Sequence, residues 1–225
     1  MELILDIGSG NSLPDSETAI RLIDEIIKRD TGKHTITLKT QLFESAPPNK
    51  KLSGVTFYNA WEYAKGREYH LTSSVFDKDS LEFLLDYDDE DWPLPFIKIA
   101  CRPDLYWLIG EIPRRIPVYF SAEPKEMWDH VIAKTPWWEG DTNCTVMVCS
   151  PKYPSGLSDY LDSAKLVGLD GALSYKCISD HTEGWALMEY CKPDILEKHV
   201  ILEHNDTNPD AGAFAVTVDE LSEIL

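Results

Sequence analysis

The sequence predicts a (β/α)8 barrel in one domain, and three observations lead there. Short apolar runs bounded by turn residues recur eight times along the 225 residues. Helical patterns fall between many of them, and the connections are short, with no repeat, low-complexity tract or long linker. Strand–helix alternation reads as a parallel sheet, and eight such units in one domain close it into a barrel. An open doubly wound sheet is the runner-up. It is disfavoured because the loop after the first strand, Gly8-Ser9-Gly10-Asn11-Ser12-Leu13, lacks the third glycine of a dinucleotide fingerprint.

Strands are read at Leu3–Ile7, Thr35–Thr40, Tyr69–Ser73, Phe96–Ala100, Val118–Ser121, Thr145–Cys149, Gly171–Ser174 and Ile195–Val200. The clearest helix is Thr18–Arg29, where Ala19, Ile20, Leu22, Ile23, Ile26 and Ile27 form one apolar stripe. Asp15 or Ser16 caps its start, and Asp30-Thr31-Gly32 ends it. Weaker helical patterns follow at Ala60–Lys65, Ser80–Leu85, Asp104–Ile109, Lys125–Ala133, Ser158–Val167, Gly184–Glu189 and Val218–Leu225.

Composition narrows the partners. Against 39 Asp+Glu stand 21 Lys+Arg, a net charge of −18. That charge repels phosphate backbones and anionic lipid, so neither nucleic acid nor a membrane is expected as a partner. A local cationic pocket can still hold a small anion. The five cysteines, Cys101, Cys144, Cys149, Cys177 and Cys191, are odd in number and contain no C-x-x-C, which suits reduced thiols in a cytoplasmic protein. The N-terminal apolar run lacks a basic flank and is too short for a signal peptide.

Barrel strands are buried on both faces and should be apolar. Several here carry charges at one parity. Asp6 opposes Leu3, Leu5 and Ile7; Lys39 opposes Ile36 and Leu38; Lys98 opposes Ile97 and Ile99; Glu197 and His199 oppose Leu196 and Val200. Lys198 alone sits with the apolar set. An apolar parity packed on the helices would turn these charges toward the barrel axis, near the C-terminal mouth where such barrels keep their active sites. A buried lone charge is expensive unless paired or ligated, so they are expected to meet, as a site or as structural ion pairs. His181, in Ser179-Asp180-His181-Thr182 after the seventh strand, would bring a second imidazole beside His199. Two imidazoles near carboxylates suit a divalent transition metal with open positions; a lone loop histidine is otherwise simply solvated.

Beyond this the chain resembles the barrel of the sialic acid (N-acetylneuraminate) synthase family. Ser179-Asp180-His181-Thr182, Leu196-Glu197-Lys198-His199, Asn208-Pro209-Asp210 and Val218-Asp219-Glu220-Leu221 are similar to the end of that barrel. Upstream, Leu38-Lys39-Thr40-Gln41, Leu71-Thr72-Ser73-Ser74-Val75-Phe76-Asp77, Phe96-Ile97-Lys98-Ile99-Ala100 and Cys149-Ser150-Pro151-Lys152-Tyr153-Pro154 resemble its earlier motifs in order. The resemblance implies condensation of phosphoenolpyruvate with an N-acetylmannosamine-like aldehyde, giving a nonulosonate and phosphate. It implies a divalent metal, Mn²⁺ foremost with Mg²⁺ or Co²⁺ as substitutes, on His181 and His199. Lys39 and Lys98 would neutralise phosphate and carboxylate, and Ser74, Ser121 and Ser179 would bind substrate oxygens. Glu197 would orient the sugar or relay a proton, Tyr153 and Asp210 would bind sugar hydroxyls, and Asp6 stands where the family usually has Glu.

Three departures accompany the likeness: Cys101 in place of a phosphate-binding serine, Pro151 in place of an asparagine, and no Asn-His pair in the first loop. The family's C-terminal antifreeze-like domain is not expected within these residues, so a homodimer would not form by swapping it. A non-catalytic binding or assembly barrel descended from such enzymes is the alternative. Two features are read as structural. Asp86–Asp91 lacks the glycine and terminal glutamate of a calcium loop and reads as a solvated acidic turn, and Trp137-Trp138-Glu139 reads as a surface turn or subunit contact.

Overall fold

Alternation along the strands sets the architecture. In β1 (Glu2–Gly8) the side chains of Leu3, Leu5 and Ile7 point outward into the main apolar cluster, while Ile4 and Asp6 point inward. The same alternation recurs in β2 (Thr35–Leu42), β3 (His70–Val75), β4 (Ile97–Ile99), β5 (Val118–Ala122), β6 (Cys144–Cys149), β7 (Cys177–Asp180) and β8 (Ile195–Ile201). All neighbours are parallel, in sequence order, and β1 also pairs with β8, so the sheet closes into an eight-stranded barrel. A two-residue strand, β9 (Val216–Thr217), adds to β8 outside the ring. The computed structural model describes residues 1–123, 143–160, 177–205 and 207–225.

Helices cover the outward face. α1 (Ser16–Arg29) starts where the Asp15 carboxylate accepts from Thr18 N–H, and it buries Ala19, Leu22, Ile23 and Ile26 against the barrel. Each fully buried Leu or Ile contributes about 1.5–3 kcal/mol. α2 (Gly54–Lys65) is capped by Ser53, and α3 (Lys78–Leu85) by an Asp77/Ser80 capping box. A 3-10 helix (Pro103–Glu111) follows β4 where an ordinary helix was expected; it begins with proline and has no side-chain cap. The short α4 (Ala186–Cys191) starts two residues later than the pattern suggested, after Gly184 at φ 56°. α5 (Val218–Leu221) is four residues long, and the rest of the predicted Val218–Leu225 helix forms turns.

The predicted strand Gly171–Ser174, the helix Lys125–Ala133 and Trp137-Trp138-Glu139 lie outside the described residues, as does most of Ser158–Val167. No helix among the described residues is long and apolar enough to cross a membrane.

The barrel interior has two ends. Its N-terminal half is filled by Ile4, Phe96 and Met147, with Tyr119, Cys177 and Ile195 against them. The Phe96 and Tyr119 rings stack at 4.3 Å and 4°. Above this apolar floor Asp6 of β1, Lys39 and Gln41 of β2, Lys98 of β4, and Glu197 and His199 of β8 line the interior.

Candidate active site

At the C-terminal mouth a cavity of about 280 Å³ is lined by Asp6, Lys39, Gln41, Ser74, Lys98, Ser121, Cys149, Tyr153, Ser179, His181, Glu197 and His199, with Phe76, Ala100, Cys101, Arg102 and Pro151 at its edge. The expected charges therefore meet. Ten of the eleven side chains singled out in the sequence line this one cavity, although the seventh strand, which delivers Ser179 and His181, is Cys177–Asp180. Its brevity and polar end hid it from a search for apolar runs.

Strand register explains the contacts. Asp6 stands level with Lys39 on one side and His199 on the other. Lys39 Nζ is 2.7 Å from Asp6 Oδ2 and 3.4 Å from Glu197 Oε1, and Lys98 Nζ is 2.9 Å from Glu197 Oε2. All four side chains are nearly inaccessible to solvent. Two cations and two carboxylates thus cancel in alternation, the arrangement that burial requires. Gln41 Nε2 donates to Asp6 Oδ2 at 2.9 Å, and Gly8 N–H to Asp6 Oδ1 at 2.9 Å.

Burial alone would push the Asp6 carboxyl up. The Lys39 charge, then His199 and the hydrogen bonds from Lys39 and Gly8, outweigh it and hold Asp6 well below the usual carboxylate range. Glu197 is likewise held down against burial by Lys98 and Lys39, with Asp6 opposing. Burial works against the Lys39 ammonium, but Asp6 and Glu197 raise its pKa.

Two hydroxyls complete the floor. Lys39 donates to Ser74 Oγ at 2.9 Å, and Lys98 to Ser121 Oγ at 2.7 Å. Each hydroxyl accepts from an ammonium and so keeps its own proton to donate into the cavity.

The imidazoles lie on the opposite side of the mouth, 5.8 Å apart between ring centroids. His181 Nδ1 is 2.7 Å from the Ser150 carbonyl, which can only accept; Nδ1 therefore carries the proton and Nε2 keeps a lone pair. His199 Nδ1 is buried without a hydrogen-bond partner among the described residues. Tyr153 stacks on His181 at 4.0 Å, and Phe214 meets His199 edge-on at 5.0 Å. An oriented imidazole and an orphaned ring nitrogen fit a divalent transition ion. Among the described residues no group of three or more His, Cys, Asp or Glu is placed to hold a metal ion, so His181 and His199 are the protein donors that remain for one.

Asp210 stands apart from the other expected residues. Its Oδ2 accepts from Ser9 N–H at 2.8 Å and Ser9 Oγ at 2.6 Å, fastening the first loop. Gly8, at φ 90°, passes so close that an added Cβ would lie 2.9 Å from that same oxygen. The parity exception Lys198 also has its reason. It faces outward from β8, level with Asp180 of β7, whose carboxylate is 3.2 Å away; Lys198 also donates to Thr182 O at 2.5 Å. Burial lowers the pKa of Lys198, and Asp180 only partly offsets it.

Two further groups have structural surroundings. Burial pushes the Cys149 thiol well up, which suits a packing residue although it lines the cavity. In the acidic turn, Asp88 and Asp89 accept backbone N–H groups from Leu94, Asp91 and Trp92, and Asp88 pairs with Arg115 at 2.5 Å. The turn is therefore held together by its own carboxylates. Gln41 and Arg102 were not singled out as site residues. Gln41 was visible only as part of a motif, and Arg102 lies beyond the strand period.

No protein-family model matches the chain, and no curated protein matches it in sequence. Solved structures do match. A sialic acid synthetase from Leptospira borgpetersenii superposes with TM-score 0.75 at 19% identity, covering 98% of this chain and 80% of that one. The chain shares that barrel fold. A putative spore coat polysaccharide biosynthesis protein E from Chromobacterium violaceum gives TM-score 0.76 at 18% identity, over 99% and 72% of the two chains. A phospho-2-dehydro-3-deoxyheptonate aldolase from Thermotoga maritima gives 0.66 at 12%, over 98% and 66%.

Proposed function

We propose that this protein joins phosphoenolpyruvate to the aldehyde of an N-acetylated amino sugar, releasing phosphate and a sialic-acid-like nonulosonate. The observation that carries the reading is one cavity holding two ammonium groups and their hydroxyl partners on one side and two imidazoles on the other. The named functions of the Leptospira and Thermotoga structures, a sialic acid synthetase and a phospho-dehydro-deoxyheptonate aldolase, support it through the shared fold.

In this reading Lys39 and Lys98 take the carboxylate and phosphate, and Ser74, Ser121 and Ser179 donate to their oxygens. Carbon 3 of the enol attacks the aldehyde carbon, water adds at carbon 2, and phosphate leaves with cleavage of its bond to that carbon. Glu197, held ionised by both lysines, accepts a hydrogen bond from a sugar hydroxyl or the attacking water and passes the proton on. Asp6 keeps Lys39 charged and His199 in place. Tyr153, against His181, binds the sugar from the rim, and Asp210 sets the first loop beside it. A divalent ion on His181 and His199, with Mn²⁺ preferred, would supply Lewis acidity at the aldehyde oxygen. The reaction would take place in the cytoplasm, in a chain that could act as a homodimer.

Phosphate release from phosphoenolpyruvate, with Mn²⁺ and a panel of N-acetylated aldoses, tests this. Release dependent on both metal and aldose is expected; none with any aldose overturns it. The mutual cancellation of Asp6, Lys39, Lys98 and Glu197 favours one second reading, a non-catalytic barrel in which the quartet is structural. That reading predicts no turnover and no metal bound at His181 and His199.

A further inference from the structure

We infer that Arg102 recognises the phosphate group of the enol phosphate; this rests on the reading above and names a binding residue within it. The argument starts from charge. Phosphoenolpyruvate brings a carboxylate and a phosphate, the latter carrying about 1.5 to 2 negative charges near neutrality. The interior cations that would meet it are already matched, Lys39 by Asp6 and Lys98 by Glu197. An anion of that charge in a neutral, dry quartet lacks compensation. One further residue of fixed positive charge lines the same cavity among the described residues, and it is Arg102.

Its position sets it on the Lys98 side of the mouth, and the phosphate, as the more highly charged of the two anionic groups, is the one that needs a further cation. Arg102 follows β4 and precedes the 3-10 helix, whose Tyr106 hydroxyl donates to the Ser121 carbonyl at 2.8 Å. Ser121 Oγ in turn accepts from Lys98. Arg102 is thus tied to the side of the mouth that holds Lys98 and Ser121, across from the imidazoles of β7 and β8. Its guanidinium presently forks onto Asp104, Nε to Oδ1 at 3.2 Å and Nη2 to Oδ2 at 2.6 Å. That is the two-pronged geometry in which arginine takes a phosphate. The side chains are 55% and 62% exposed, so the pair adds little stability and readily gives way to a more highly charged oxyanion.

Calorimetric titration of the full chain with phosphoenolpyruvate, inorganic phosphate and pyruvate, with Mn²⁺ present, tests the assignment in wild type, Arg102→Gln and Arg102→Lys. An exposed residue leaves the melting temperature of both variants unchanged. The expected result is that Arg102→Gln weakens phosphoenolpyruvate and inorganic phosphate by roughly ten- to a hundredfold, the scale of a charge-assisted hydrogen bond, and leaves pyruvate unaffected. Arg102→Lys recovers part of the loss. Unchanged binding of phosphoenolpyruvate and phosphate by Arg102→Gln overturns the inference, and so does a loss confined to pyruvate. A wild-type chain that binds neither phosphorylated ligand overturns both the inference and the proposed reaction. If Arg102→Gln shows the expected losses but no aldose is turned over by wild type, Arg102 stands and the condensation falls.

Discussion

Asp6 and Lys39 sit directly opposite each other on neighbouring strands, their charged atoms 2.7 Å apart in the dry interior of the barrel. Removing one partner of such a pair leaves the other uncompensated. Asp6→Asn is expected to destabilise the fold by about 3–5 kcal/mol. Urea unfolding followed by circular dichroism measures it; a loss under about 1 kcal/mol would mean that Glu197 alone suffices for Lys39.

The same quartet sets the response to acid. Asp6 and Glu197 have folded-state pKa values below their unfolded values, which lie near 3.9 and 4.3. Their stabilisation is therefore complete above those unfolded values and is lost as pH falls through the lower folded ones. Melting temperature should hold from neutrality to about pH 5 and then fall steeply. The slope below pH 4 should be shallower in Asp6→Asn, and equal slopes would remove Asp6 from the account.

His181→Ala and His199→Ala should each weaken Co²⁺ binding by more than the roughly 10–100-fold typical of losing an outer partner of a metal ligand. Visible absorption of the bound ion is the readout. Either variant binding like wild type would separate the imidazole pair from any metal.

Lys198→Met should destabilise by about 3 kcal/mol, because Asp180 stays buried without its cation. Asp180 precedes His181 and Lys198 precedes His199, so this outward pair ties together the strand ends that carry the imidazoles. Co²⁺ affinity should fall with the loss of stability. Unchanged affinity in a destabilised variant would confine the pair to holding the fold.

Asp104→Asn should tighten phosphoenolpyruvate binding, since it removes the carboxylate that competes for Arg102. Two- to fivefold is the scale of a surface ion pair. Weaker binding would show that Asp104 instead steadies Arg102 in its binding position.

Much of this arrangement is legible in the sequence. A charge recurring at the inward parity of β1, β2, β4 and β8 has few structural solutions, and a common axis is one of them. Lys198 broke the pattern in sequence because its partner, Asp180, belongs to a strand of four residues that apolar periodicity does not mark. Asp210 reaches Ser9 across 201 positions, a contact no local pattern encodes. Arg102 was hidden for a related reason. It lies past the end of β4, where strand alternation has stopped and direction depends on the turn into the 3-10 helix.

The stacked Phe96 and Tyr119, with Ile4 and Met147, close the lower end of the barrel. Among the described residues, these side chains fill the end of the barrel away from the charged cavity. Asp6, Lys39 and His199 share one level across three neighbouring strands, so a guest on the lysines and a guest at the imidazoles would lie side by side above that floor, each within reach of the other.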